Sequence, residues 1–125
     1  MLTFRLLLSV ALLAVGPLRA AEFNVEQFTA DAKAAAARNY RDPGSAQFRD
    51  TYWIRWKSDA GNAIYAMCGE VNAKNAYGAY IGFAPFYVYL FPDGKLSASS
   101  TGSELDAQMA IKICTGQLRP VERIN

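Results

Sequence analysis

The 125-residue chain contains no histidine. That absence removes the Ser-His-Asp and Cys-His nucleophile arrangements and every zinc site built on imidazole. Cysteine is scarce as well: Cys68 and Cys114 are the only two, and two thiolates do not complete a tetrahedral metal site. Neither GxxxxGK[ST] nor GxGxxG occurs, so no loop of known pattern is available to cradle phosphates. No cofactor and no metal is expected. The longest apolar run, Leu6 to Val15, falls well short of the roughly 20 residues that span a bilayer.

That run has a different meaning. It follows a short basic start containing Arg5 and precedes Gly16-Pro17-Leu18-Arg19-Ala20-Ala21, the layout of a secretory signal peptide. Residues 1–20 are therefore expected to be removed, with cleavage after Ala20 fitting best and Ala21 as the alternative. No cysteine lies near the site to carry a lipid, and no membrane span is expected after cleavage. Losing Arg5 and Arg19 leaves eleven basic against eleven acidic residues. A neutral domain offers no surface for neutralising nucleic-acid phosphates. Export to the periplasm or beyond makes a Cys68–Cys114 disulfide the default expectation. The rival reading, a reactive thiol, finds no histidine to act as its base.

Residues 21–125 are expected to form one small domain. Asn24, with Gln27 three residues on, makes a capping-box pattern, and Val25, Phe28, Ala32, Ala35 and Ala36 recur at helical spacing. Asp42-Pro43-Gly44 stops that helix; Ser45–Arg49 is read as one further helical turn capped by Asp42. From Asp50 the pattern alternates, with Tyr52, Ile54 and Trp56 on one face and Trp53, Arg55 and Lys57 on the other. A turn at Ser58–Asn62 leads into a second strand from Ala63 to about Val71. The run Pro85–Phe91 is aromatic and β-branched, the strongest strand signal in the chain. Pro92-Asp93-Gly94-Lys95 turns it back into Leu96–Ser99. Ser103 then caps a second helix whose apolar stripe is Leu105, Met109, Ala110 and Ile113, ending at Gly116. The nine residues from Gln117 are read as a loose tail. This order predicts an α+β fold: an antiparallel sheet of three to four strands with an N-terminal and a C-terminal helix packed on one face, joined by one disulfide.

The stretch Cys68–Phe86, CGEVNAKNAYGAYIGFAPF, stands apart from these simple patterns. It holds too many glycines for a plain strand and too many aromatics for a plain loop. On a regular strand Glu70 shares a face with Cys68 and points toward the helix-covered side. A buried carboxylate needs a partner, so either a cation such as Lys112 or Arg49 meets it, or a bulge at Gly69 turns it outward. Tyr77, Tyr80, Phe83 and Phe86 are core or sheet residues in one reading. In the other, Tyr77 and Tyr80 stand exposed beside Asn72, Lys74 and Asn75 as a patch for a protein or glycan partner, where tyrosine brings area and a hydroxyl at little entropic cost.

The two segments Asp42–Arg49 (DPGSAQFR) and Cys68–Phe86 together resemble a largely uncharacterised family of small exported bacterial proteins. That family carries a DPxSAxFR segment and a CGxVNxKNxxGxYxGFxxF segment. From the start of the first segment to the end of the second, residues 42–86, the resemblance spans a little under half of residues 21–125. It implies an envelope location and that the two segments form a unit; it implies no activity.

Three functional expectations follow. The leading one is a periplasmic or secreted, non-enzymatic binding module, of the inhibitor or immunity type, acting on an envelope protein or glycan. Its candidate contact residues are Glu70, Asn72, Lys74, Asn75, Tyr77 and Tyr80, with no catalytic set. The second is a structural accessory of an envelope or secretion assembly. The third is a cell-wall-active hydrolase using Glu70, since paired carboxylates can act on glycosidic bonds. For that role Asp93, Glu104 and Asp106 are the other acidic candidates, the last two already explained as helix-start residues.

Overall fold

Asn24 opens the first helix by accepting a hydrogen bond from the Gln27 backbone N–H at 3.1 Å, which satisfies one of the unpaired donors of the first turn. The computed structural model describes residues 23–99 and 103–124; the expected signal segment, residues 1–20, lies outside them. Helix α1 (Val25–Ala37) is followed by a 3-10 turn at Pro43–Ser45 and then by strands β1 (Gln47–Lys57), β2 (Ala63–Asn72), β3 (Ala84–Leu90) and β4 (Leu96–Ser99). Helix α2 (Glu104–Cys114) and a short β5 (Glu122–Ile124) complete the order. All pairings are antiparallel, in the order β4-β3-β2-β1-β5. The architecture is α+β, with a disulfide joining Cys68 to Cys114. No helix among the described residues is long and apolar enough to cross a membrane.

Four expectations need correction. The sheet has five strands rather than three to four, because the tail from Gln117 is not loose. Trp53 pairs with Ile124 and Arg55 with Glu122 across the β1–β5 ladder, and the Arg55 guanidinium donates twice to the Glu122 carboxylate, at 2.8 and 3.1 Å. Next, the helices do not share a face. The alanine stripe of α1 packs with Trp53, Met67, Val71, Phe86, Val88 and Leu90. Ile113 and Cys114 of α2 pack instead with Ile54, Ala66 and Cys68, beside Tyr87 and Tyr89. Adjacent strand residues point to opposite faces, so the two sets are the two sides of one sheet, with a helix on each.

The third correction concerns α2. Only Ala110 and Ile113 of its expected stripe are buried, whereas Leu105 is 71% exposed and Met109 lies at the surface. Besides these two buried residues, α2 is tied to β2 covalently through the Cys68–Cys114 bridge. Finally, Ser45–Arg49 is not a helical turn capped by Asp42. The 3-10 turn ends at Ser45, β1 begins at Gln47, and the Asp42 side chain makes no capping bond.

The α1 side of the sheet holds the larger core. Trp53 donates its indole N–H to Thr29 Oγ1 at 2.9 Å, so burial leaves no polar atom of that side chain stranded. Phe23 lies across the same side, stacked on Tyr65 with centroids 4.1 Å apart and edge-on to Trp53 at 5.1 Å. A register shift in the sheet sits where β1 passes the Cys68–Glu70 segment. Arg49 pairs with Glu70 and Tyr52 with Cys68, so Asp50 and Thr51 together oppose Gly69. The bulge is thus on β1, opposite the glycine rather than at it, and it restores Phe48 and Trp53 to the same face despite their odd spacing.

Candidate functional site

Between Asn72 at the end of β2 and Ala84 at the start of β3 the chain leaves the sheet and returns as a miniature hairpin. Three sets of hydrogen bonds hold it. At its base, Asn72 is buried (8% exposed), and its Oδ1 accepts from the Gly82 N–H at 3.1 Å. At its middle, Lys74 and Tyr80 form an antiparallel bridge. Ser45 braces this bridge from outside: its Oγ accepts from the Lys74 N–H at 2.8 Å and donates to the Asp42 carbonyl at 2.7 Å. The Tyr80 hydroxyl donates to the Ser45 carbonyl at 2.8 Å. At the tip, Asn75 Oδ1 accepts from the N–H groups of Tyr77 and Ala79, at 2.9 and 3.1 Å, in the manner of an Asx turn. Gly78 closes that turn with φ of 78°, a conformation costly to residues bearing a Cβ, and its N–H donates to the Asn75 carbonyl at 3.0 Å.

These bonds divide the candidate residues by role. Asn72 and Asn75 spend their side-chain oxygens on the loop's own backbone. Tyr80 is half used: its hydroxyl is fixed and the Lys74 ammonium lies 5.6 Å above its ring. Tyr77 has no such employment and is 94% exposed. Ile81, which the sequence did not single out, is 64% exposed on the same loop. A cleft of about 310 Å³ runs beside the loop, lined by Asn39, Tyr40 and Arg41 after α1 and by Ala73, Lys74, Asn75 and Ile81.

Glu70 is not part of that arrangement. Arg49 Nε and Nη2 both donate to its Oε2, at 3.0 and 2.7 Å, so the cation that meets it is Arg49, not Lys112. The Arg49 guanidinium in turn lies 4.0 Å from the centre of the Phe83 ring. Glu70 lines a different and smaller cleft of about 180 Å³, with Asp50, Tyr52, Pro85, Ala110, Ile111 and Cys114 among its walls.

A larger opening, about 750 Å³, lies at the other end of the sheet and includes Arg55, Trp56, Lys57, Arg119 and Glu122. Most of its charged groups already have partners. The Arg55 guanidinium holds the Glu122 carboxyl below the ordinary carboxylate range, first through its hydrogen bonds and then through its charge. Arg119 lies 5.3 Å over the Trp56 ring. Beside them, burial pushes the Tyr89 phenol above its usual value, with Tyr87 adding to the shift and Arg119 opposing it. Trp56 Nε1 is buried there without a hydrogen-bond partner among the described residues.

Ser45, Arg41 and Ile81 are the site residues that sequence reasoning did not assign. The one available signal was the joint occurrence of the DPGSAQFR and CGEVNAKNAYGAYIGFAPF segments. Ser45, from the first, contacts Lys74 and Tyr80, from the second. Comparison of the chain with protein-family models, with curated proteins and with solved structures finds no match in any of the three.

Proposed function

We propose that this protein is an exported, non-enzymatic binding module of the inhibitor or immunity type, and that the Asn72–Gly82 loop is its contact surface for a protein partner in the cell envelope. One observation carries the reading: Tyr77 is almost fully exposed on a loop whose backbone is held at base, middle and tip. An aromatic side chain in water contributes little to the fold. A preordered loop that presents one avoids much of the ordering cost of association, and tyrosine is enriched among the residues that dominate interface energies. The disulfide supports an oxidising compartment such as the periplasm or the exterior.

A photo-crosslinking amino acid at position 77, with a control at Lys95 in the turn at the far end of β3, tests the reading in envelope extracts. A discrete adduct is expected from position 77 and not from position 95, and it should disappear when Ile81→Ser is added. The Tyr77→Ala/Ile81→Ser variant should keep wild-type stability to within about 1 kcal/mol, as surface changes usually do. Equal labelling from both positions contradicts the proposal. A markedly earlier melt of the double variant favours the structural-accessory reading, in which the loop only maintains the fold.

A further inference from the structure

We propose that the cleft beside the loop receives an acidic segment of the protein partner, with Arg41 and Lys74 meeting a carboxylate and Ile81 and Tyr77 flanking it. This rests on the preceding assignment of the loop as the contact surface and names the chemistry recognised there.

Both charged residues lining the cleft are cations, and no carboxylate lines it. The mature chain is balanced at eleven basic and eleven acidic residues, so this local excess is not a sample of a basic surface. Three cations elsewhere are ion-paired: Arg49 with Glu70, Arg55 with Glu122 and Lys95 with Asp93. Neither Arg41 nor Lys74 has an ion pair among the described residues.

Lys74 is also positioned. Its backbone N–H is fixed on Ser45 Oγ, and its ammonium sits over the Tyr80 ring, which is itself anchored through its hydroxyl to the Ser45 carbonyl. A cation over a ring still has N–H donors to offer a carboxylate. Two cations in a cleft of about 310 Å³ suit one or two side chains. Anionic membranes are read by clusters of about four to eight basic residues, and nucleic acids by a basic stripe along the backbone. Ile81, exposed in the cleft wall, and Tyr77, exposed on the same loop, add the apolar anchors typical of a protein contact.

The test is selection of a random peptide display library against the disulfide-intact protein, followed by titration of the strongest synthetic peptide. Enriched sequences should carry Asp or Glu next to an aliphatic or aromatic residue, and binding should weaken as salt rises. Arg41→Glu and Lys74→Glu should each cost at least about tenfold in affinity. Arg41→Gln and Lys74→Gln should cost less, and a peptide with its acids exchanged for lysine should recover binding to the charge-reversed double variant. Melting curves confirm that each variant is folded; the glutamine variants serve where reversal disturbs the loop.

Enrichment without acidic residues, or charge reversals that change affinity by less than about twofold, overturns the inference. Binding to phosphatidylglycerol vesicles with no acidic peptide selected also overturns it, in favour of a lipid surface. If Tyr77→Ala abolishes peptide binding while the charge variants do not, only the acidic partner is wrong. If neither matters, the loop itself is not the contact surface.

Discussion

Reducing the Cys68–Cys114 bridge, or replacing both residues with alanine, is expected to lower the melting midpoint by about 15–30 °C. The bridge spans 46 positions, and closing a loop of that length in the unfolded chain contributes about 4 kcal/mol in the chain-entropy model. For a domain near 100 residues, each 1 kcal/mol moves the midpoint by about 4–8 °C. The weak apolar docking of α2 argues in the same direction. With Leu105, Met109 and Ile111 exposed, the helix buries few groups besides Ala110 and Ile113, so little else opposes its detachment. The loss should therefore be concentrated in α2: its amides should exchange with solvent well before those of β2 and β3 once the bridge is cut. Thermal melts with and without reductant, paired with a thiol assay on the unfolded, unreduced protein, check both parts. No free thiol should be found. A reduced form that melts within about 5 °C of the oxidised one would show that α2 is held by packing after all.

Gly69→Ala should destabilise the protein by about 3–5 kcal/mol, combining the strain of a φ that glycine alone adopts readily with the cost of crowding a packed site. Gly69 has φ of 153°, and a Cβ there would lie 3.0 Å from Thr51 Cα, 3.0 Å from Thr51 Cγ2 and 3.1 Å from the Arg49 carbonyl oxygen. Two of those three atoms are backbone, and they belong to the bulge on β1, which already holds Asp50 at φ of 53°. Relief would require the bulge to move, and with it Arg49, the partner of Glu70. The control is Gly44→Ala, where the nearest atom to a new Cβ is Asp42 Oδ1 at 3.8 Å and the change should stay within about 1 kcal/mol. Urea titration of both variants measures the difference. Equal midpoints would mean that the bulge is soft and that Gly69 is not required for close passage.

These two effects meet at Cys68-Gly69-Glu70, and they show which parts of the structure could be read from the chain. Helix starts at Asn24 and Ser103, the turn at Asp93-Gly94 and the hairpin of β1 and β2 are short-range features, set by caps, turn residues and alternation within a few positions. The disulfide was legible because only two cysteines exist. The placement of the helices was misread although a signal was present. β3 is apolar on both faces, with Phe86, Val88 and Leu90 on one and Tyr87 and Tyr89 on the other, the pattern of a strand covered from both sides. The strand β5 had no such signal. Three residues show no periodicity, and its pairing depends on Trp53 and Arg55, about 70 positions earlier.

The candidate site was legible in extent but not in its division of labour. The polar-aromatic run from Asn72 to Gly82 marks the loop, and Asn75 with Gly78 marks its turn. Nothing local distinguishes Tyr77 from Tyr80, since what fixes Tyr80 is a carbonyl at Ser45, 35 positions away. Ile81 gave no signal because an aliphatic residue in an aromatic run reads as core until its surroundings are known.

Recognition through Tyr77 requires the loop to be ordered before any partner arrives, and backbone ¹⁵N relaxation of the free protein measures that directly. Order parameters from Lys74 to Gly82 should match those of β2 and β3, near about 0.85, and should fall when Ser45→Ala removes the hydroxyl that receives Lys74 and ties it to Asp42. Values below about 0.6 in the wild-type loop would contradict the account, because a loop that is already mobile does not hold Tyr77 out for recognition.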